Sequence, residues 1–222
     1  MLRVGINLGN ALLAGRDPAS GEPHGLAVDL ARELGRRLHT DIELVTFESA
    51  GRMAEAAGEW DAAFLAADPA REGEIQFTAP YLEIDATYLV AAASPLTHLA
   101  DVDREGIRIA LSDKSAYDLA LRRSINHAEL VRAASVDDSV ELFFRDHLDA
   151  LAGLRPLLLD VTRAHPGCRV LDGRFTAVRQ AIGAPKGHEI ALLEQFVREA
   201  KASGLIADLI DKHRLDGVTR LP

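Results

Sequence analysis

DAAFLAADPAREGEIQFTAPY, residues 61 to 81, sets the reading of the whole chain. Ala62 to Ala66 is an apolar run of strand length, Asp68-Pro69 marks a turn, Arg71 follows that turn, and a second strand is expected to end at Pro80. An arginine at the end of a buried strand is a candidate anion-binding centre, because its guanidinium offers a planar fork of donors matched to a carboxylate.

Upstream of this stretch the pattern reads β-α-β-α. Leu2 to Leu8 is a first strand, and the glycines at 5, 9 and 15 with Asp17-Pro18 make the segment after it a loop where backbone can approach a ligand closely. Asn7 and Asn10 stand at the carboxyl end of that strand, the end where open α/β sheets bind ligands. Asparagine also caps turns, and both roles fit. From Gly25 a helical period begins, with Leu26, Leu30, Leu34 and Leu38 on one face and Arg32, Glu33, Arg36 and Arg37 on the other; Gly35 weakens this helix without ending it. Ile42 to Phe47 is a second strand, and Ser49 caps a short helix through Ala57.

Downstream, Ala86 to Ala93 is apolar on both faces and is expected to cross into a second lobe. Ile107 to Leu111 is a buried strand that leads through Ser112-Asp113-Lys114-Ser115 into a helix from Ala116 to Arg123. A strand, a polar turn and a helix start are expected to leave several unpaired N–H groups converging on an anion, with Ser115 either capping the helix or bonding the ligand. The lobe continues as strand 130–133, helix 136–146 behind Ser135, strand 149–152, helix 156–165 and strand 169–171, with Arg155 directly before Pro156. Residues 175–184 form the return strand. The remainder is expected to be helical over 189–202 and 205–213, without a strand partner of its own. Alternation of strands and helices predicts α/β lobes, each a mostly parallel sheet flanked by helices. Two crossover strands join them, with lobe 1 formed by 1–90 plus 183–222 and lobe 2 by 91–182, and two strands between lobes make a hinge.

Composition removes other classes. At 222 residues the chain can bury about three quarters of its unfolded surface, and no run reaches the roughly 18 apolar residues of a membrane span. A net charge of -9 with only Arg36-Arg37 and Arg122-Arg123 as basic pairs excludes a nucleic-acid surface. The single cysteine, Cys168, excludes an intrachain disulfide and a cysteine-built metal site, and is expected to be a buried small hydrophobe. The eight histidines contain no i,i+3 or i,i+4 pair, so no metal is expected. No cofactor motif is present: Gly5 to Gly9 lacks the third glycine and the downstream acid of a dinucleotide fingerprint.

In its motifs and their order the chain resembles the extracellular solute-binding proteins of family 3, the polar amino-acid receptors of ABC importers. The resemblance rests on Asp61, Arg71 and Phe77-Thr78-Ala79-Pro80-Tyr81, with weaker matches at Gly25-Leu26-Ala27-Val28-Asp29-Leu30-Ala31 and Ser203-Gly204-Leu205. It implies a two-lobed periplasmic-binding-protein type 2 fold that captures a solute in an interlobe cleft by hinge closure. It also implies that Arg71 grips a ligand carboxylate with help from Ser115. The expected ligand-binding set is Arg71, Ser115, Asn7, Asn10, Lys114, Asp113, Ala66 and Arg155.

The departures matter as much. The family usually has a second Asp, five residues after the one matching Asp149, that accepts the ligand's ammonium; here that position is Leu154. A buried ammonium without a counter-charge is costly, so the expected ligand carries a carboxylate or polar group but is not an ordinary α-amino acid. The family's first-loop aromatic platform is also missing, with Asn10 near its place, and Lys114 replaces a small residue. Expected partners are a small anionic or polar solute and the membrane permease of an ABC importer, with the protein itself a monomer. The expected location is periplasmic or extracellular if an export signal has been removed, and cytoplasmic otherwise. Two other functions share the fold: an elimination enzyme resembling cyclohexadienyl dehydratase, for which Glu83, Asp85 and Asp113 are the candidate acids, and a stand-alone ligand-sensing domain.

Overall fold

Thirteen strands and seven α-helices follow one another along residues Met1–Pro222, all described by the computed structural model. In chain order they are β1 Leu2–Asn7, β2 Gly15–Arg16, β3 Pro23–His24, α1 Leu26–Leu38, β4 Ile42–Phe47, α2 Ala50–Glu55, β5 Ala62–Ala66, β6 Ile75–Phe77 and β7 Leu82–Ala91. Then come β8 Arg108–Ser112, α3 Ala116–Ser124, β9 Glu129–Ala133, α4 Val136–Arg145, β10 Ala150–Leu154, α5 Arg155–Ala164 and β11 Cys168–Val170. The chain ends with β12 Thr176–Pro185, α6 Ala191–Ala202, α7 Leu205–Lys212 and β13 Val218–Arg220. They form two units, Met1–Glu83 with Arg179–Pro222 and Ile84–Val178, so the chain passes from one to the other inside β7 and returns inside β12.

In the first unit β4, β1 and β5 run parallel, and β12 lies antiparallel to β5 and carries the short β6 on the same strand. Helix α1 covers this sheet with Leu26, Leu30 and Leu34 fully buried, the period that the sequence predicts. Two glycines are fixed by close contacts. A Cβ on Gly25, which starts α1 at φ 116, would stand 2.5 Å from the Leu13 carbonyl oxygen. One on Gly35 would stand 2.4 Å from Ile42, so this mid-helix glycine lets α1 lie close on β4. Beneath α2, Trp60 is fully buried with Met53, Ala63, Leu65 and Ile75, and its indole N–H donates to the Met53 carbonyl at 2.9 Å.

The second unit orders its strands β7-β10-β8-β9, with β10 antiparallel to β7 and parallel to β8, and β11 antiparallel to β7. Its core gathers Leu89, Ala110 and Leu151 from three strands, Phe143 and Leu158 from the helices α4 and α5, and Leu148 from the turn before β10.

Several expectations are corrected. The C-terminal segment does have a strand: β13 pairs with β7, and Leu221 N–H reaches the Tyr81 carbonyl at 3.2 Å. The loop after β1 holds a small hairpin, β2 with β3. Strand β6 stops at Phe77 rather than Pro80: Thr78 still gives its N–H to the Ile182 carbonyl, but its hydroxyl rather than its carbonyl takes the Ile182 N–H in return. Asp149 lies outside β10 because its carboxylate is engaged with the Arg108 backbone. Cys168 is only partly buried, and that burial pushes its thiol up. No helix is long and apolar enough to cross a membrane.

Candidate functional site

The register Val4↔Ala62, Gly5↔Ala63 and Ile6↔Phe64 places the carboxyl ends of β1 and β5 side by side in the first unit. Four of the expected residues, Asn7, Asn10, Ala66 and Arg71, follow from those two ends. Beyond Ala66 the chain turns through Asp68, whose side chain accepts from Ala70 N–H at 2.9 Å and caps a single 3-10 turn, Pro69–Arg71. That turn swings Arg71 back toward its own strand, and its Nη1 donates to the Ala66 carbonyl at 2.7 Å. Only 6% of Arg71 is exposed. Burial pushes its guanidinium down to about 10, against the opposing charge of Asp68. A buried guanidinium in that condition gains from an arriving anion, which restores the stabilisation that water gave it.

Asn7 and Asn10 separate in role. The Asn7 side-chain oxygen accepts from Gly9 N–H at 3.0 Å, a turn-forming use of asparagine. Asn10 is 9% exposed, and its side-chain oxygen has no hydrogen-bond partner, while its backbone carbonyl takes Leu13 and Ala14 N–H. The Tyr81 hydroxyl in the same unit is also buried without a partner, and burial raises its pKa.

In the second unit Asp113, Lys114 and Ser115 follow β8, and Arg155 follows its parallel neighbour β10. The N–H groups of the turn itself are already engaged. Asp113 N–H goes to the Ala133 carbonyl at 2.8 Å, Lys114 N–H to the Asp118 carboxylate at 2.8 Å, and Ser115 N–H to the Ser112 carbonyl at 3.4 Å. Ser115 caps α3, its hydroxyl accepting from Asp118 N–H at 3.1 Å. The buried Tyr117 hydroxyl, pushed up to about 12 chiefly by burial, bonds to Ser115 and Ser112. The Asp113 carboxylate takes Arg122 at 2.7 Å. Arg155 directs its guanidinium to the carbonyls of Leu171, at 3.1 Å, and Gly173. Leu154, at the position of the missing acid, is buried at the end of β10.

The residue that sequence reasoning passed over is Asp118. It is fully buried, and it holds Lys114 N–H, Arg122 at 2.7 and 2.9 Å, and Arg132 at 3.0 Å. Its signal was the i,i+4 spacing to Arg122. No three His, Cys, Asp or Glu side chains converge in a way that would hold a metal ion.

Solved structures share this fold, which is that of the two-lobed periplasmic binding proteins. A mutant of ArgBP from T. maritima is 20% identical, with 96% of this chain and 94% of that one covered and a TM-score of 0.81. The putative binding component of an ABC transporter from Wolinella succinogenes, complexed with lysine, is 21% identical over 95% and 94% at a TM-score of 0.80. AncCDT-1, an ancestral amino acid-binding protein and precursor of cyclohexadienyl dehydratase, is 20% identical over 95% and 93% at 0.79. No curated protein matches the chain by sequence. Residues 2–216 match the bacterial extracellular solute-binding proteins, family 3, and the chain belongs to that family.

Proposed function

We propose that this chain is the substrate-binding component of an ABC importer that captures a small carboxylate-bearing or polar solute, with Arg71 as the anion grip. The observation that carries the reading is the Arg71 guanidinium itself, buried to 6% exposure with its pKa pushed down to about 10. Ser115, Asn7, Asn10, Lys114, Asp113, Ala66 and Arg155 complete the proposed set, Ala66 through the carbonyl that aims Arg71. Hinge movement at the two crossings is the proposed capture step, and a membrane permease is the proposed recipient.

The ligand is proposed to differ from the arginine and lysine named for structurally similar proteins. Leu154 supplies no carboxylate where the family's ammonium acceptor stands, and an ammonium taken from water without a counter-charge is left unpaired. A catalytic role is not favoured. Each candidate acid already has an arginine partner: Glu83 with Arg179 at 3.5 Å, Asp85 with Arg174 at 2.8 Å, and Asp113 with Arg122 at 2.7 Å.

Thermal shift and calorimetry against a panel of small carboxylates and standard L-amino acids test the proposal. A carboxylate should raise Tm in the wild type and lose at least about a hundredfold in affinity in Arg71→Ala, as expected for a buried charge-assisted pair. Tight binding of standard L-amino acids that survives Arg71→Ala would overturn the site and the ligand class together.

A further inference from the structure

Arg71 accounts for one end of the solute, and Asn10 defines the chemistry of another part of it. Native proteins rarely bury a polar atom without a partner, and an unpartnered one in a binding protein points to a group that arrives with the ligand. The Asn10 side-chain oxygen is such an atom, on a residue 9% exposed. It belongs to the turn that leaves β1, while Arg71 ends the turn that leaves β5, and the two strands are paired in parallel register. Parallel neighbours lie about 4.8 Å apart, so both turns issue from one edge of the sheet.

An amide oxygen accepts through its lone pairs and carries no formal charge. An ammonium placed against it keeps a full positive charge and two further N–H donors to satisfy, and a neutral oxygen meets neither need. A hydroxyl or an amide N–H meets the acceptor with one donor and no charge. The solute's single negative charge then stands against the Arg71 guanidinium.

Resting on the reading of Arg71 as the carboxylate grip, we infer that the solute is a small carboxylate bearing a neutral hydrogen-bond donor, received by the side-chain oxygen of Asn10. Hydroxycarboxylates and N-acyl amino acids share that chemistry.

Calorimetry with sets of twins on one carbon skeleton tests this: L-lactate, N-acetyl-L-alanine, L-alanine and propionate, then L-malate with L-aspartate and succinate, and L-phenyllactate with L-phenylalanine and 3-phenylpropionate. In at least one set the hydroxy or acyl member should bind about tenfold or more tighter than its amine and its unsubstituted twins. The hydroxy and acyl arms separate the two sources. Asn10→Leu should remove that advantage, so that the hydroxy or acyl member binds no tighter than its unsubstituted twin measured on the same variant. Asn10→Asp, which adds the missing charge, should turn preference toward the amine. Circular dichroism and Tm establish that each variant is folded. If carboxylates bind through Arg71 but amines equal their hydroxy twins, or Asn10→Asp leaves the order unchanged, this inference fails and the proposed function stands. If Arg71→Ala weakens no carboxylate, or no probe binds the wild type, both fail.

Discussion

Each unit buries a charge, and the two are held in different ways. The second unit buries the Asp118 carboxylate completely and surrounds it with donors: a backbone N–H, two nitrogens of Arg122 and one of Arg132. The first unit buries the Arg71 guanidinium, and there desolvation outweighs the nearby negative charge enough to lower its pKa to about 10. A compensated buried charge fixes a structure, here the left-handed Lys114 at φ 53 and the capped start of α3. A buried charge still disfavoured by its surroundings is where a ligand has energy to gain.

The sharpest way to break that contrast is to remove both charges. Asp118→Ala leaves two guanidinium groups and the Lys114 N–H facing an apolar gap and should cost about 3 kcal/mol. That is the low end for breaking a buried pair, because Arg122 and Arg132 are partly exposed and can turn to water. Arg71→Met, which gives up the Ala66 carbonyl bond and the nearby Asp68 charge but also removes a desolvated cation, should cost less than Asp118→Ala while abolishing carboxylate binding. Urea unfolding of the whole chain, with the slope compared across variants, reads both. Equal losses from the two variants would mean that Arg71 is structural in the sense that Asp118 is.

The sequence made much of this fold legible, for a physical reason. Leucine at every fourth position of α1, a five-residue apolar run in β5 and a polar turn between them are local patterns, and local patterns suffice for parallel α/β units. The turn that carries Arg71 was legible because Asp68-Pro69 sets it locally. Asp118 was not. Glu33 with Arg37 and Asp118 with Arg122 have the same i,i+4 spacing, yet the first pair stays partly exposed where α1 meets α6 and the second has its carboxylate fully buried. Asp118 also takes Arg132, fourteen residues away in β9, and no local period reports that. Strand β13 escaped for a similar reason, since its partner β7 is more than a hundred residues distant.

Glu33 gives the next test of that pairing. Hydrogen bonds from Arg36, then Arg37, hold its carboxyl at about 2, below the usual 4.5. Because the folded value lies below the unfolded one, this stabilisation is present above about pH 4.5 and is lost as pH falls toward about 2. Glu33→Gln should cost about 0.5–1 kcal/mol at pH 7, screened because Arg36 is largely exposed, and almost nothing near pH 2. A cost that stays the same at both pH values would assign the effect to packing rather than to charge.

The smallest effect concerns a feature that the two units share. In each, an aspartate just before a fully buried strand takes the backbone N–H of an arginine in a neighbouring strand, Asp61 from Arg3 at 2.9 Å and Asp149 from Arg108 at 2.8 Å, and returns its own N–H to that arginine's carbonyl. The side chains then diverge. Arg3 folds its guanidinium onto Asp61 at 2.7 Å, whereas Arg108 lies 3.9 Å from Asp149 and donates to the His147 carbonyl at 3.0 Å instead. Accordingly the Asp61 carboxyl is held below the usual carboxylate range, first by its hydrogen bond from Arg3. Double-mutant cycles separate the backbone clamp from the ion pair. Asp61→Asn and Asp149→Asn each keep an oxygen for the backbone N–H, so their cycles with Arg3→Met and Arg108→Met isolate the guanidinium. Coupling should be measurable for the first pair and vanish within error for the second, and added salt should reduce only the first. Equal couplings would mean that the two aspartates are interchangeable clamps and that the Arg3 geometry contributes nothing of its own.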